Sequence, residues 1–241
     1  VSSLPLPVPG TYNLRDVGGL PAGERTTRHG VLLRSDGLGS LGEKGRAALL
    51  SLGIGTVVDL RSHDEIAQSP DDIDGLGLTW VNEPIFQGSV ASQISATPSL
   101  VSIYDHIVTQ NGAPLTDAVR VIALAEDCVL VHCTAGKDRT GIVVALALLA
   151  VGVERTAVVD NYAATEANLA GEWLTGMRAM LAGYSVVETP EVLELVGGSP
   201  AAAIDGVIDH IEVRHGSASG YLQAHGLTPA ELAALEARLL A

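Results

Sequence analysis

The sequence predicts an α/β sandwich, a mostly parallel central sheet flanked by helices, with extra helices toward the C-terminal end. Three observations predict it. Apolar, β-branched runs at 31–33, 56–60, 78–81 and 128–132 alternate with segments of helical period. The run at 56–60 is apolar at nearly every position, as in strands covered on both faces. After Gly152 the texture changes to helical segments broken by Gly, Ser or Pro, with few convincing strands.

Taken in order, an uncharged Pro-rich start leads into the polar turn Asn13-Leu14-Arg15-Asp16-Val17-Gly18-Gly19. The strand at 31–33 runs into Arg34-Ser35-Asp36. Ser40 with Glu43 reads as a capping box for a helix over 43–51, which Gly53 closes. Thr56-Val57-Val58-Asp59-Leu60 is a strand that ends at Arg61-Ser62, and Asp64-Glu65 begins a short turn or helix. After the strand at 78–81, residues 84–99 carry no charge and read as a long loop. Helices are expected from 99 to 107 and over 115–125, where Leu115, Val119, Ile122 and Ala123 share a face. The strand at 128–132 enters a compact loop, and an apolar helix over 141–150 follows at once.

The later helices are expected at 154–171, 172–181, 190–196, 200–214 and 228–240. The last has the clearest start, with Thr228 as cap, Pro229 at the first helical position and Glu231 two further on. The expectation is one domain over 1–241. An α/β part, 1–153, holds the loop 132–140, and a mostly helical part, 154–241, packs on it without a flexible linker.

Composition narrows the function. With 14 Lys and Arg against 28 Asp and Glu, the net charge of −14 argues against non-specific binding to nucleic acid or an anionic membrane. Hydrophobic types make up 47%, which excludes disorder. The longest strongly apolar stretch, 141–153, is 13 residues and too short to span a bilayer. Residues 1–10 lack a basic segment and a long apolar core, so the expected location is cytoplasmic, or secreted without a recognisable signal peptide. Cys128 and Cys133, five apart across a β-like run, suit neither a structural disulfide nor a metal cluster. His210 and His215 are also five apart, off one helical face, so no metal is expected. Gly136-Lys137 lacks the upstream Gly and following Ser or Thr of a nucleotide-binding loop.

The chemistry concentrates at Cys133 and Arg139, spaced Cys-x5-Arg between an apolar strand and a helix. A turn of this length curls roughly six backbone N–H groups around a tetrahedral oxyanion, with the positive end of the helix aimed at the same point. The loop residues Thr134, Ala135, Gly136, Lys137 and Asp138 form the cradle, which Ala135 and Gly136 keep small. Arg139 adds a fork matched to two phosphoryl oxygens. Such a cradle favours Cys133 as a thiolate and in-line nucleophile on phosphorus. Thr140 is placed to donate its hydroxyl to the sulfur, His132 to orient the loop, and Lys137 to add charge at the rim. A carboxyl pressed against a phosphate dianion favours its protonated form, which makes Asp138 a candidate acid. Cys128 reads as a core residue.

His132-Cys133-Thr134-Ala135-Gly136-Lys137-Asp138-Arg139-Thr140-Gly141 resembles the phosphate-binding loop of the bacterial atypical, dual- or triple-specificity protein tyrosine phosphatases. Asn13 to Gly19, Arg34-Ser35 with Leu38, Val58-Asp59-Leu60-Arg61-Ser62 with Glu65, and Tyr221-Leu222 through Gly226-Leu227-Thr228 resemble that family too, so the likeness spans most of the chain. The resemblance implies a cysteine phosphatase fold, a phosphocysteine intermediate, no metal or other cofactor, and the loop aspartate as acid. It also implies activity on phosphotyrosine, phosphoserine, phosphothreonine or phosphoinositides, the last favoured by Lys137. A mycobacterial member covers its site with a pair of helices, a role open to residues 160–200 here.

A second candidate acid is Asp105, 28 residues before Cys133, near the distance at which dual-specificity phosphatases carry theirs. Asp59 and Arg61 leave a strand at the edge where open α/β sheets bind ligands. They either hold the loop or pair with one another or with Glu65. Arg15 and Asp16 are expected in support. The alternative to a protein phosphatase is a phosphoinositide or other small phosphate-ester phosphatase of the same mechanism.

Overall fold

The structure is a computed structural model that describes residues 4–85, 99–183 and 186–241. In chain order, β1 (Arg15–Asp16), the ribbon β2 (Pro21–Ala22) and β3 (Arg25–Thr26), and β4 (Leu32–Ser35) lead to α1 (Gly42–Ser51). Next come β5 (Ile54–Asp59), α2 (His63–Gln68), β6 (Thr79–Asn82), α3 (Leu100–Gln110) and α4 (Gly112–Leu124). Then follow β7 (Cys128–His132) and α5 (Asp138–Ala150). The C-terminal part is α6 (Arg155–Leu169), α7 (Glu172–Gly183), α8 (Pro190–Gly197), α9 (Ala201–His215), α10 (Ala218–Ala224) and α11 (Pro229–Leu239).

The five-stranded sheet has the order β1-β4-β7-β5-β6, parallel throughout except for β1 against β4. Its register puts Ser35, His132, Asp59 and Asn82 side by side. The segments that follow these four residues therefore leave from one carboxyl edge, where parallel sheets carry their ligand sites.

Strand β7 is buried at every position because helices cover both faces. Its Val129 and Val131 face the larger core, shared with α3, α4, α5 and the C-terminal α9, α10 and α11. Cys128 and Leu130 face the smaller core, against Leu49 of α1 and Val57 of β5. Each fully buried Val or Leu here contributes about 1.5–3 kcal/mol. Helix α5 is apolar all round and buried from Thr140 to Leu148, so its N-terminal turn is held firmly against the sheet edge. Helices α7 and α8 form their own small core of Leu181, Val192 and Val196 with Trp173, Leu174 and Met177.

The α/β class, the parallel sheet and the helical C-terminal part agree with the sequence. Thr228 and Glu231 form the expected capping box. Gly53, with φ +71°, follows the end of α1 in the left-handed conformation that glycine tolerates. The Ser40–Glu43 box does not form: α1 starts at Gly42, whose N–H donates to Asp72 Oδ2 at 2.9 Å, so a distant carboxylate caps the helix instead. Helix α10 and strands β1 to β3 escape sequence reading because elements of two to seven residues carry too little period. Most of the loop expected at 84–99 lies outside the described residues. Among the described residues, no helix is long and apolar enough to cross a membrane.

Candidate active site

The segment from Cys133 to Lys137 leaves β7 and turns into the first residue of α5, Asp138. Gly136 makes the turn possible. Its φ is +65°, and a Cβ there would lie 2.3 Å from the Ser35 carbonyl oxygen. The glycine is thus required by packing against β4 as well as by the small cradle expected from sequence.

Two side chains from distant parts of the chain hold the loop carbonyls, and a third braces them. Asn13 Nδ2 donates to the carbonyls of Ala135 at 3.1 Å and Gly136 at 3.2 Å. Arg34 Nη2 donates to the Gly136 carbonyl at 2.8 Å, while its Nη1 donates to Asn161 Oδ1. Arg15 sits behind them, donating to the Asn13 carbonyl and side chain, the Asn161 carbonyl and Thr165 Oγ1. Burial lowers both arginines; Arg34 comes down to about 10 against the pull of Cys133, Tyr162 and Tyr104. Asp16 stands apart from this frame. It accepts from the N–H groups of Gly18 and Gly30 and faces His29, so it shapes the N-terminal turn rather than the loop.

Arg139 is fixed by a residue of α2. Its Nη1 donates to Glu65 Oε2 and its Nη2 to Oε1, both at 2.7 Å. Glu65 is presented by a capping box with Ser62 at the start of α2, and its Oε1 also accepts from Thr134 Oγ1 at 2.8 Å. Burial disfavours the charged carboxylate, yet the Arg139 fork, with Ser62 and Thr134, holds Glu65 down at about 2. Cys133 itself is 2% exposed. The electrostatic influence of its sulfur favours the charged forms of Arg34, Arg61 and Arg139, in Arg34 against a stronger effect of burial, so three guanidinium groups feel this one sulfur.

Asp59 and Arg61 pair with one another, and Arg61 Nη2 lies 2.8 Å from both Asp59 Oδ2 and Asp71 Oδ1. Glu65 therefore serves Arg139 and not Arg61. The fully buried His132 places Nδ1 3.3 Å from the Cys133 carbonyl and Nε2 3.1 Å from Asp71 Oδ2. Burial lowers its proton affinity, but Asp71 and Asp59 outweigh that and raise it. Asp59, Asp71 and His132 bring ligand atoms close enough to share a metal ion. Arg61 already neutralises both carboxylates, which makes the cluster a poor cation site.

Asp138 is partly exposed, and its Oδ1 accepts from the Tyr104 hydroxyl at 2.6 Å. Asp105, next along α3, points elsewhere and pairs with His210 at 2.7 Å, with 57% of its side chain exposed. Lys137 is not at the rim. It is fully buried, and its Nζ donates to the carbonyls of Leu195 at 2.8 Å and Gly198 at 2.9 Å, at the C-terminal end of α8. A helix end attracts a cation, which explains the inward turn. Thr140 is also misjudged from sequence. Its buried Oγ1 makes no hydrogen bond among the described residues, the Cys133 sulfur included. Cys128 lies in the smaller core, where burial and then Asp16 push its thiol up to about 12.

Glu65, Asn13, Arg34, Asp71 and Tyr104 were not singled out as site residues from sequence. The Ser62-x-x-Glu65 spacing was the one local signal for Glu65.

Beside the loop, a pocket of about 500 Å³ is lined by Tyr12, Arg61, Glu65 and Thr134, with Trp173 and Met180 of α7.

The model of the tyrosine phosphatase family matches residues 6–241. The triple specificity protein phosphatase PtpB of Mycobacterium tuberculosis is 31% identical over 279 residues, covering 97% of this chain and 98% of that protein. A tyrosine-protein phosphatase of Nostoc commune is 32% identical over 220 residues, covering 87% of this chain and 74% of its own. Among solved structures, P. aeruginosa TpbA aligns with 66% of this chain and 90% of its own length, at 19% identity and a TM-score of 0.39. With a family match over residues 6–241 and relatives above 30% identity that cover 97% and 87% of its length, the chain belongs to the tyrosine phosphatase family.

Proposed function

We propose that residues 1–241 act as one phosphatase domain that hydrolyses phosphotyrosine, and phosphoserine or phosphothreonine as well, through a phosphocysteine on Cys133. The carrying observation is the loop itself. A buried cysteine stands at the sheet's carboxyl edge, and the N-terminal turn of α5 and the arginines 34, 61 and 139 surround it electrostatically. The mycobacterial relative is described as acting with triple specificity, which supports the breadth of substrate.

In the first step the Cys133 sulfur forms a bond to phosphorus as the ester P–O bond breaks, and Asp138 gives a proton to the leaving oxygen. Of the five N–H donors of Arg139, two are committed to Glu65 and two make long contacts, to the Leu60 carbonyl at 3.5 Å and Thr134 Oγ1 at 3.4 Å, so Nε and these weakly held hydrogens serve the equatorial oxygens. In the second step water forms the new P–O bond, the S–P bond breaks, and Asp138 takes up the water proton. Thr134, Ala135, Gly136 and Lys137 supply backbone N–H groups to the phosphate, and His132, Asp59 and Arg61 stiffen the approach from β7 and β5. Helices α7 and α8 serve as the lid expected within 160–200, since α7 lines the pocket beside Thr134 and α8 docks on Lys137. For a phosphoinositide to use the Lys137 charge, α8 has to withdraw first.

Cys133→Ser should abolish turnover of a phosphotyrosyl peptide while vanadate binding is largely retained. Undiminished activity overturns the assignment. Rates on phosphotyrosyl, phosphoseryl and soluble phosphoinositide substrates, measured side by side, rank the substrate classes.

A further inference from the structure

Tyr104 and Tyr162 are both buried in the larger, mostly aliphatic core, and their hydroxyls lie 2.7 Å apart. Buried hydroxyls are retained where they meet partners, and this pair leads directly to the loop. Tyr104 donates to Asp138 Oδ1 at 2.6 Å, a short hydroxyl–oxygen hydrogen bond. Lys137 Nζ lies 3.3 Å from the same oxygen. Among the described residues, both polar contacts of this carboxyl fall on Oδ1. Burial, then the charge of Asp138, hold Tyr104 protonated far above its ordinary range, so it stays a donor at any working pH. The rings are placed by helices that carry no other part of the loop, Tyr104 on α3 and Tyr162 on α6, and they meet edge to face with centroids 6.2 Å apart. The Tyr162 ring also packs on Gly141, where a Cβ would approach it to 2.9 Å, so α5 and this pair are fitted to each other.

A carboxylic acid whose one oxygen accepts a hydroxyl and faces an ammonium carries its proton on the other oxygen. We propose that Tyr104, supported by Tyr162, is a positioning residue that keeps the Asp138 proton on Oδ2, directed at the leaving oxygen. This rests on the reading of Asp138 as the acid. When Asp138 has given up its proton, the same hydroxyl stabilises the carboxylate by donating to Oδ1, and the carboxylate then waits as the base for water. Neither tyrosine touches the substrate.

The test uses a series of aryl phosphates of increasing leaving-group pKa, on the full chain and on Tyr104→Phe, Tyr162→Phe, Asp138→Asn and the Tyr104→Phe/Asp138→Asn double variant. Phenylalanine keeps the ring in the core. Tyr104→Phe should lose about tenfold on phenyl phosphate, as expected for one hydrogen bond to an ionised group, and much less on p-nitrophenyl phosphate. Tyr162→Phe should move the same way by a smaller factor. The double variant should match Asp138→Asn alone, because a positioning residue has nothing left to position. If Tyr104→Phe and Tyr162→Phe lower all substrates equally while Asp138→Asn still discriminates between leaving groups, the tyrosines are only structural and the proposal falls. If Asp138→Asn itself shows no dependence on the leaving group, the acid assignment falls and takes the proposal with it.

Discussion

Arg139 and Glu65 meet as two planar forks, with both N–H···O distances at 2.7 Å, and the carboxylate comes from the first turn of α2. A guanidinium held this way presents its remaining edge at a fixed angle to the loop, which an unpaired side chain with four rotatable bonds does not do.

The pair also gives the fold a pH dependence. Glu65 sits at about 2 in the folded protein against 4.5 for a free side chain. Its contribution is therefore complete above pH 4.5 and is lost as the pH falls from there toward 2, on the order of 3 kcal/mol in all. Glu65→Gln should be markedly less stable than the parent chain at pH 7, and the gap in urea midpoints should narrow by pH 3. It should also slow turnover, since Arg139 loses its orientation. A gap that stays constant with pH would show that Glu65 acts by packing alone.

Gly136→Ala addresses the frame of the loop. The residue has φ +65° and its new Cβ would meet the Ser35 carbonyl oxygen at 2.3 Å, a backbone atom that cannot swing aside. Strain of this kind costs about 1–3 kcal/mol before the clash is counted. The melting temperature should fall by roughly 6 °C or more, and vanadate affinity should drop with it. An alanine variant with parental vanadate affinity would mean the loop tolerates a different path.

Much of this was legible before any coordinates. The runs at 56–60 and 128–132 carry their own period, and the Cys133-x5-Arg139 spacing states the position of the site between a strand and a helix. The illegible part is long-range. Asn13 reaches Ala135 across 122 residues and Arg139 finds Glu65 across 74, and neither pairing has a local pattern to betray it. Tyr104 and Asp105 make the same point within one helix. Neighbours on a helix face about 100° apart, so two adjacent polar residues go to the loop and to solvent, and only packing decides which. Lys137 failed as a rim residue because its true partners, the carbonyls of α8, lie some sixty positions on.

That buried lysine yields the last prediction. Its Nζ meets the Leu195 and Gly198 carbonyls at 2.8 and 2.9 Å, with the Glu194 carbonyl at 3.4 Å, and so binds the phosphate loop to the end of α8. Helices α7 and α8 have only a small core of their own, and besides this link the end of α8 is tied to α6 through Ser199, whose N–H donates to Glu166 Oε2 and whose hydroxyl donates to the Ala163 carbonyl. Lys137→Met fills the same volume but leaves those carbonyls without a donor. Each hydrogen bond to a charged group contributes about 1.5–3 kcal/mol, so the segment should open at least tenfold more often. Amide hydrogen exchange should quicken in α7 and α8 and stay unchanged in β7 and α5. Equal quickening everywhere would point to global destabilisation, and no change would mean that Trp173, Leu174 and Met177 suffice to hold the helices down.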